Sequence, residues 1–568
     1  MLFELGEHAS AVATAQADWE RDSRTHRLWN RDATIFSNSD EARWLGWLEL
    51  PTAAPEAAIG SETLRAAIAA HPADTAVVLG MGGSSLWPDV LGRTWNDRPA
   101  AAATSASASF STSASASAGL RRRLFVLDST VPDAIEAFLA RFPSERCLYF
   151  VSSKSGSTIE PNALFELIHA RLAAKLGAGA ASRHFVAITD PGSALEARAR
   201  AAGFLGIALG RADVGGRFSA LSPFGLLPAA AMGLEPERLL ACAAAMAAAC
   251  GPDVAVDKNP GVALGLALGT LAQRGRDKLT LSLSPEIESF GGWIEQLVAE
   301  STGKTGQGIL PIPDGGLGEP ARYASDRVFV DLAVAGDETA KSRGTSLDAL
   351  ARAGHPVIRI ELADAYDLGQ AIFVWEMATA VVGAVLGLNP FDQPDVESAK
   401  QATRQLMAAE QAAAGRGTVA ADIEAAGVRI FAAKTLGPAA RDAKGDPARL
   451  MKALVDSLMP NDSFIVNAFL ADSPEIRAKL ERIRAAVGPA RRVATAVSFG
   501  PRYLHSTGQL HKGGPNRVVG LQLWQSAASR KGGALAIPGI GGDFDRLAEA
   551  QAVGDFRVLS ERGRRMLG

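Results

Sequence analysis

The sequence predicts an α/β protein: two doubly wound parallel-sheet domains followed by a C-terminal α/β extension. Three observations carry this expectation. Short apolar, β-rich runs at residues 75–80 (TAVVLG), 123–128 (RLFVLD), 147–152 (CLYFVS) and 185–189 (FVAIT) alternate with helical stretches, as in a sheet covered by helices on both faces. The alternation starts again at 278–284 (KLTLSLS), 327–334 (RVFVDLAV) and 356–362 (PVIRIEL), with a long helix over 367–388 closing the second unit. A third set of strands is expected near 464–470, 492–499 and 517–524.

The elements divide the chain in order. Residues 1–60 read as a helical N-terminal segment with an aromatic-rich end at Trp44 and Trp47. The first domain spans 61–235 and contains an Ala/Ser-rich stretch, 100–119, with too little side-chain bulk to pack, which reads as a flexible surface insertion. The second domain spans 236–400, and the helical and α/β extension covers 401–568.

Composition excludes several classes. Over 568 residues, 58 Lys and Arg stand against 61 Asp and Glu, a net charge of −3. That balance leaves no electrostatic footprint for nucleic acid or for an anionic membrane. Cys147, Cys242 and Cys250 form no CxxC and have no nearby His, so neither a disulfide framework nor a zinc site is expected. With early acids and no basic run, the N-terminus does not read as a signal peptide, and the expected compartment is the cytoplasm. The run 371–388 (AIFVWEMATAVVGAVLGL) is near spanning length, but Glu376 inside it favours a buried helix over a membrane span.

In an open parallel sheet, ligands bind where strands hand over to helices. Gly80-Met-Gly82-Gly83-Ser84-Ser85 lets backbone N–H groups approach an anion, but it is neither GxGxxG nor a Walker loop, and a tight βα turn explains it equally well. The run Ser153-Lys154-Ser155-Gly156-Ser157-Thr158 is more specific. One helix cap needs one hydroxyl, and here there are four, with Lys154 for charge, which suits a phosphate monoester. Arg217 follows two glycines in VGGRFS; alone it reads as a surface turn. Gln296 and Glu300, four apart, share a helix face, as do many solvated pairs. The loop 389–400 (NPFDQPDVESAK) reads as a capped helix start that contains Gln393 and Lys400. His505 and His511 lie in a Gly-rich loop with no carboxylate or Cys nearby in sequence, which favours acid/base chemistry over metal binding.

GMGGSS, SSKSGST, VGGRFS, EQLVAESTGK and NPFDQPDVESAK, in this order, resemble the glucose-6-phosphate isomerase family, whose two doubly wound domains are of the sugar-isomerase (SIS) type. The 500–516 run GPRYLHSTGQLHKGGPN and the opening 27–32 run RLWNRD look like the bacterial branch found fused behind a transaldolase. The resemblance implies an aldose–ketose isomerase that interconverts glucose 6-phosphate and fructose 6-phosphate through an enediol(ate), in glycolysis and gluconeogenesis, with no cofactor and no metal. It implies that Glu300 moves the proton and Arg217 stabilises the enediolate, while Lys400 and a histidine open the ring. His511, in the NGQH-like stretch 507–511 (TGQLH), is the first candidate for that histidine and His505 the spare. Both lie after Lys400, a departure from the family, which places this histidine between the Glu and the Lys, in the wider family from a neighbouring subunit. Gly83, Ser84, Ser153, Lys154, Ser155, Thr158, Gln296 and Gln393 are implied to bind substrate. Pro161 departs from the family's usual Thr. The expected partner is a hexose 6-phosphate, with neither nucleic acid nor membrane, and with a homodimer as one option. The competing readings are an isomerase of mannose- or amino-sugar phosphates, and a non-catalytic sugar-phosphate-binding regulator.

Overall fold

The computed structural model describes residues 1–97, 121–313, 316–395, 421, 423–425, 428–436, 443, 446–530, 532–539 and 541–568. The Ala/Ser stretch 100–119 and Lys400 lie outside the described residues.

Residues Leu2–Glu4 form strand β1. The first sheet follows: β2 (Thr75–Leu79), β3 (Arg123–Leu127), β4 (Cys147–Ser152), β5 (Phe185–Thr189) and β6 (Gly206–Leu209). All its pairings are parallel, in the order β3-β2-β4-β5-β6. β4 is buried along its whole length, as a central strand covered on both faces must be, hence its continuous apolar run. The winding reverses between β2 and β4, which leaves a crevice beyond their carboxyl ends. The loops that leave those two strands are Gly80–Ser85 and Ser153–Thr158, so both sequence-selected loops face one crevice.

β7 (Lys278–Leu283), β8 (Leu310–Pro313), β9 (Arg327–Val334) and β10 (Val357–Leu362) form the second sheet, in the order β1-β10-β9-β7-β8. β1 joins its edge antiparallel, Leu2 opposite Arg359, so the N-terminal segment is not wholly helical as expected. Three residues carry too little pattern to be recognised as a strand. This sheet reverses between β7 and β9, where the Ser284 hydroxyl donates to Asp337 at 2.6 Å and Arg343 pairs with Asp331 and Asp337. The second crevice is thus filled by the protein's own ion pairs.

A hairpin, β11 (Ile423–Ala425) and β12 (Val428–Ile430), precedes a third parallel sheet. β13 (Ser463–Phe469), β14 (Ala494–Phe499), β15 (Val518–Trp524) and β16 (Arg565–Leu567) take the order β14-β13-β15-β16. Its reversal lies between β13 and β15, where Phe469 packs edge-on against Tyr503 at 5.6 Å within a small apolar cluster with Val131, Leu504 and Ala552. Three sheets share one winding scheme, and at the first the loop leaving the switch-point strand β4 carries four hydroxyls.

The apolar helix Leu368–Leu386 packs against the helices Pro236–Ala249 and Pro260–Gln273 and is buried nearly throughout. Glu376 is fully buried in it with no partner for either carboxyl oxygen among the described residues, and burial pushes its pKa well above the usual range. Length and composition alone would let this helix span a membrane; in the structure it is the central core helix. Trp47, from the aromatic end of the N-terminal segment, packs against Phe218 at 5.5 Å and Phe373 at 5.7 Å, which seats the Arg217 turn on the core.

Candidate functional site

The Gly82–Ser84 turn and the Gly216–Phe218 turn lie in direct contact. A Cβ on Gly83 would run into the carbonyl oxygen of Gly216, so glycine is required there for the two loops to meet. Ser84 is buried within the first turn. The hydroxyl of its neighbour Ser85 donates to Asp128 at 3.1 Å, which ties the turn to the end of β3.

Arg217 is buried, and each of its nitrogens is engaged. Nε donates to the Ser301 hydroxyl at 2.7 Å, Nη1 to Gln393 Oε1 at 2.9 Å, and Nη2 to the Pro390 and Asp392 carbonyls at 2.6 and 2.9 Å. A planar fork with five donors is the side chain that can do this. Nη1 also lies 3.8 Å from Glu300 Oε1. Burial lowers the Arg217 pKa, and the negative charges of Glu300 and Asp392 oppose that shift.

Glu300 sits in the last turn of the helix Phe290–Thr302, whose other face is buried through Trp293, Ile294 and Leu297. Its two oxygens are held separately. Oε1 faces Arg217, and Oε2 accepts from Gln296 Nε2 at 3.1 Å. Gln296 Nε2 also donates to the His505 carbonyl at 2.7 Å, while Gln296 Oε1 is buried without a partner among the described residues. An amide oxygen left bare in a polar site is an acceptor in waiting for a ligand hydroxyl. Lys304, just beyond this helix, donates to Asp392 Oδ1 at 2.6 Å and to the Asn389 carbonyl. Burial, then the neighbouring Arg217 charge, lowers Lys304 to about 8. Lys304 thereby ties down the loop that presents Gln393 and the carbonyls that accept from Arg217.

The hydroxyl loop follows β4. Thr158 is the N-cap residue of the helix Ile159–Leu176, yet its hydroxyl makes no capping bond. Instead the Ser153 and Thr158 hydroxyls bond each other at 3.0 Å, and those of Ser155 and Ser157 at 2.9 Å. Four hydroxyls thus gather at the start of this helix, an arrangement suited to an anion. Lys154 departs from the expectation. Its ammonium turns away from the hydroxyls to Asp190 Oδ1 at 2.7 Å and the Arg211 carbonyl at 3.0 Å, above the Phe224 ring. A half-buried ammonium needs a carboxylate partner, and Asp190 supplies it. Lys154 thus shapes the loop from behind. The double variant Ser155→Ala/Thr158→Ala should raise KM for a sugar phosphate by about 10-fold or more with kcat less affected. Initial-rate kinetics on the double variant would check this, and an unchanged KM would remove the loop from ligand binding.

The two histidines exchange the order in which the sequence ranked them. His511 is 1% exposed, with both ring nitrogens unpartnered among the described residues, and burial, then the Lys512 and Arg564 charges, lowers it to about 3. A ring sealed in this way cannot exchange a proton with a ligand. His505 instead lies against the first glycine turn: a Cβ on Gly82 would lie 3.2 Å from its Cβ, and its Nε2 is 3.0 Å from Glu160 Oε1. The short helix Gly508–Gly513 that carries His511 is a structural wedge against Gly303.

His511 has a consequence for acid stability, shared by His355 and His71, each lowered to about 4, chiefly by burial. Unfolded, each takes a proton below its ordinary 6.5; folded, it resists until pH 3–4. Stability is therefore intact above 6.5 and lost as pH falls through that window, by up to ~1.4 kcal/mol per pH unit for each histidine. Urea unfolding at pH 7, 6 and 5 should show a falling midpoint, and His511→Gln should flatten the dependence by about one proton.

Sequence reasoning missed Glu160, Lys304 and the Arg502–Asp128 pair (2.6 Å), which anchors the His505 loop to the first sheet. An acid in the first turn of a helix, as Glu160 is, reads as ordinary dipole compensation. Its partner lies 345 residues away. Lys400 lies outside the described residues.

No family model matches the chain. A glucose-6-phosphate isomerase of Symbiobacterium thermophilum is 28% identical over 400 residues, covering 63% of this chain and 86% of that protein. One from Rubrobacter xylanophilus is 32% identical over 321 residues, covering 50% of this chain and 73% of the relative. The chain belongs to the glucose-6-phosphate isomerase family. Membership places it among the sugar-phosphate isomerases. Among solved structures, a hypothetical protein of Thermus thermophilus aligns with a TM-score of 0.58 at 25% identity, over 72% of this chain and all of that one. A glucose-6-phosphate isomerase of Chlamydia trachomatis aligns at 0.50 and 21% identity, over 68% of this chain and 78% of the other, a likeness of fold. The doubly wound sheets are those of the sugar-isomerase fold.

Proposed function

We propose that this family member interconverts glucose 6-phosphate and fructose 6-phosphate, with Glu300 as the base. The observation that supports this best is the environment of the Glu300 carboxylate: one oxygen toward Arg217, the other bonded to Gln296, at the crevice that also holds the hydroxyl loop. The hydrogen on a carbon next to a carbonyl is only weakly acidic, and a positioned carboxylate removes it. Charge then builds on the two oxygens of the enediolate. Arg217, fixed by four hydrogen bonds and shielded from water, stabilises it without reorganising. The phosphate, gripped by Ser153, Ser155 and Thr158, supplies binding energy that aligns C1 and C2. No step needs a metal or redox cofactor.

Ring opening precedes proton transfer. The proton leaves the anomeric hydroxyl, the bond from that carbon to the ring oxygen breaks with its electron pair on oxygen, and the oxygen is protonated. His505, beside the glycine turn, is the group we assign to this exchange, together with Lys400 as the resemblance implies. Arg217, Gln296, Glu300, His505 and the hydroxyl loop come from one chain, so turnover per chain is expected to be independent of dilution even in a homodimer.

A coupled assay with fructose 6-phosphate, with mannose 6-phosphate and an amino-sugar phosphate as controls, tests the reading. Preferred turnover of either control would move the substrate assignment. Binding of sugar phosphate with no turnover of any would make the chain a regulator.

A further inference from the structure

The last helix, Phe544–Glu561, belongs to the third sheet's layer, yet one of its side chains reaches the hydroxyl-loop helix of the first. Gln551 is 3% exposed. Its Nε2 donates to Glu160 Oε1 at 2.8 Å, and its Oε1 accepts from the buried Thr130 hydroxyl at 2.6 Å. These two bonds fix which end of the amide faces which partner. Glu160 is itself buried, and the oxygen that accepts from Gln551 is the one that meets His505 Nε2. An ionised carboxylate only accepts, so a neutral His505 beside it carries its proton on Nε2 and its lone pair on Nδ1.

We infer that Gln551 is a positioning residue for ring opening: acting through Glu160, it holds His505 in the orientation and tautomer the step needs. This rests on the reading of His505 as the ring opener. Gln551 touches no substrate. It brings a donor to the carboxylate oxygen that meets the imidazole, and Thr130 keeps that donor from rotating away. The C-terminal extension thus contributes both the imidazole and the amide that steadies it, while the first sheet contributes the carboxylate between them.

A purely structural Gln551 would affect folding and every step alike. Ring opening can be read separately. Opening and reclosing glucose 6-phosphate exchanges its α and β anomers without proton transfer at carbon, so anomer exchange persists when the base is removed. In a Glu300→Gln background, magnetisation-exchange NMR would measure enzyme-catalysed anomer exchange, with circular dichroism confirming the fold. His505→Asn should reduce the exchange by about 100-fold, and Gln551→Met, nearly the same size but without the donor, by roughly 10-fold. Thr130→Val, which leaves Gln551 in place but frees its amide to rotate, should slow it by about 3-fold and decides the matter if Gln551→Met does not fold. Loss with His505→Asn but normal exchange with folded Gln551→Met, or with Thr130→Val in its stead, overturns the inference and leaves the ring-opener reading standing. Normal exchange with His505→Asn overturns both.

Discussion

Glu300→Gln is expected to lower kcat for glucose 6-phosphate by more than about 10²-fold, because a general base contributes typically ~10²–10⁴-fold and an amide cannot take the proton. Binding should largely survive. The amide keeps the size of the carboxyl, Gln296 can still bond its oxygen, and the hydroxyl loop proposed to hold the phosphate is untouched. Steady-state kinetics combined with calorimetric titration of an open-chain hexitol 6-phosphate would separate the two. Near-normal kcat would remove Glu300 from the base role; lost affinity would make it a binding residue instead.

Arg217→Lys is the second large effect, although it keeps the charge. A lysine has one nitrogen where the fork has three, so it cannot serve Ser301, Gln393 and the Pro390 and Asp392 carbonyls together. Loss of one well-placed donor to a developing oxyanion costs ~10²–10³-fold in kcat, and at least that is expected here. Buried acceptors left unpaired cost about 1–3 kcal/mol each, so thermal unfolding should also move down. Activity measured well below the new midpoint isolates the chemical effect. A Lys variant with intact turnover would mean that the guanidinium only braces the 389–393 loop.

The sequence carried much of the fold because parallel strands buried on both faces are written as apolar runs, and β2, β4, β5, β7 and β9 fall where those runs lie. β1, β6 and β16 are three or four residues long and have no such signature. The hydroxyl loop and the Gln296–Glu300 pair were legible because each occupies a short stretch with regular spacing. Lys154, His505 and His511 were not separable on paper. What decides them is burial and a distant carboxylate: Asp190 for the lysine, Glu160 for the first histidine and, among the described residues, none for the second. Gln551 belongs to the same class, a glutamine on an amphipathic helix whose partners lie 391 and 421 residues away.

The C-terminal elements meet the rest of the chain through apolar seams of unequal size: Leu535, Ile537, Phe544 and Leu547 join the core of the first sheet, while two smaller seams lie near the crevice. Val131 and Ala134 press on Phe469, Tyr503, Leu504 and Ala552, and Ala299, Leu310 and Ile312 on Ala494 and Leu510. Smaller seams open locally before a protein melts as a whole, and here the 535–547 contacts still hold the extension to the first sheet when they do. Such an opening would loosen the imidazole at the crevice, yet leave Glu300, Arg217 and the serine hydroxyls in place. The enzyme would then pass through a form that grips its sugar phosphate while the ring stays shut, so that capture and conversion fail at different degrees of stress.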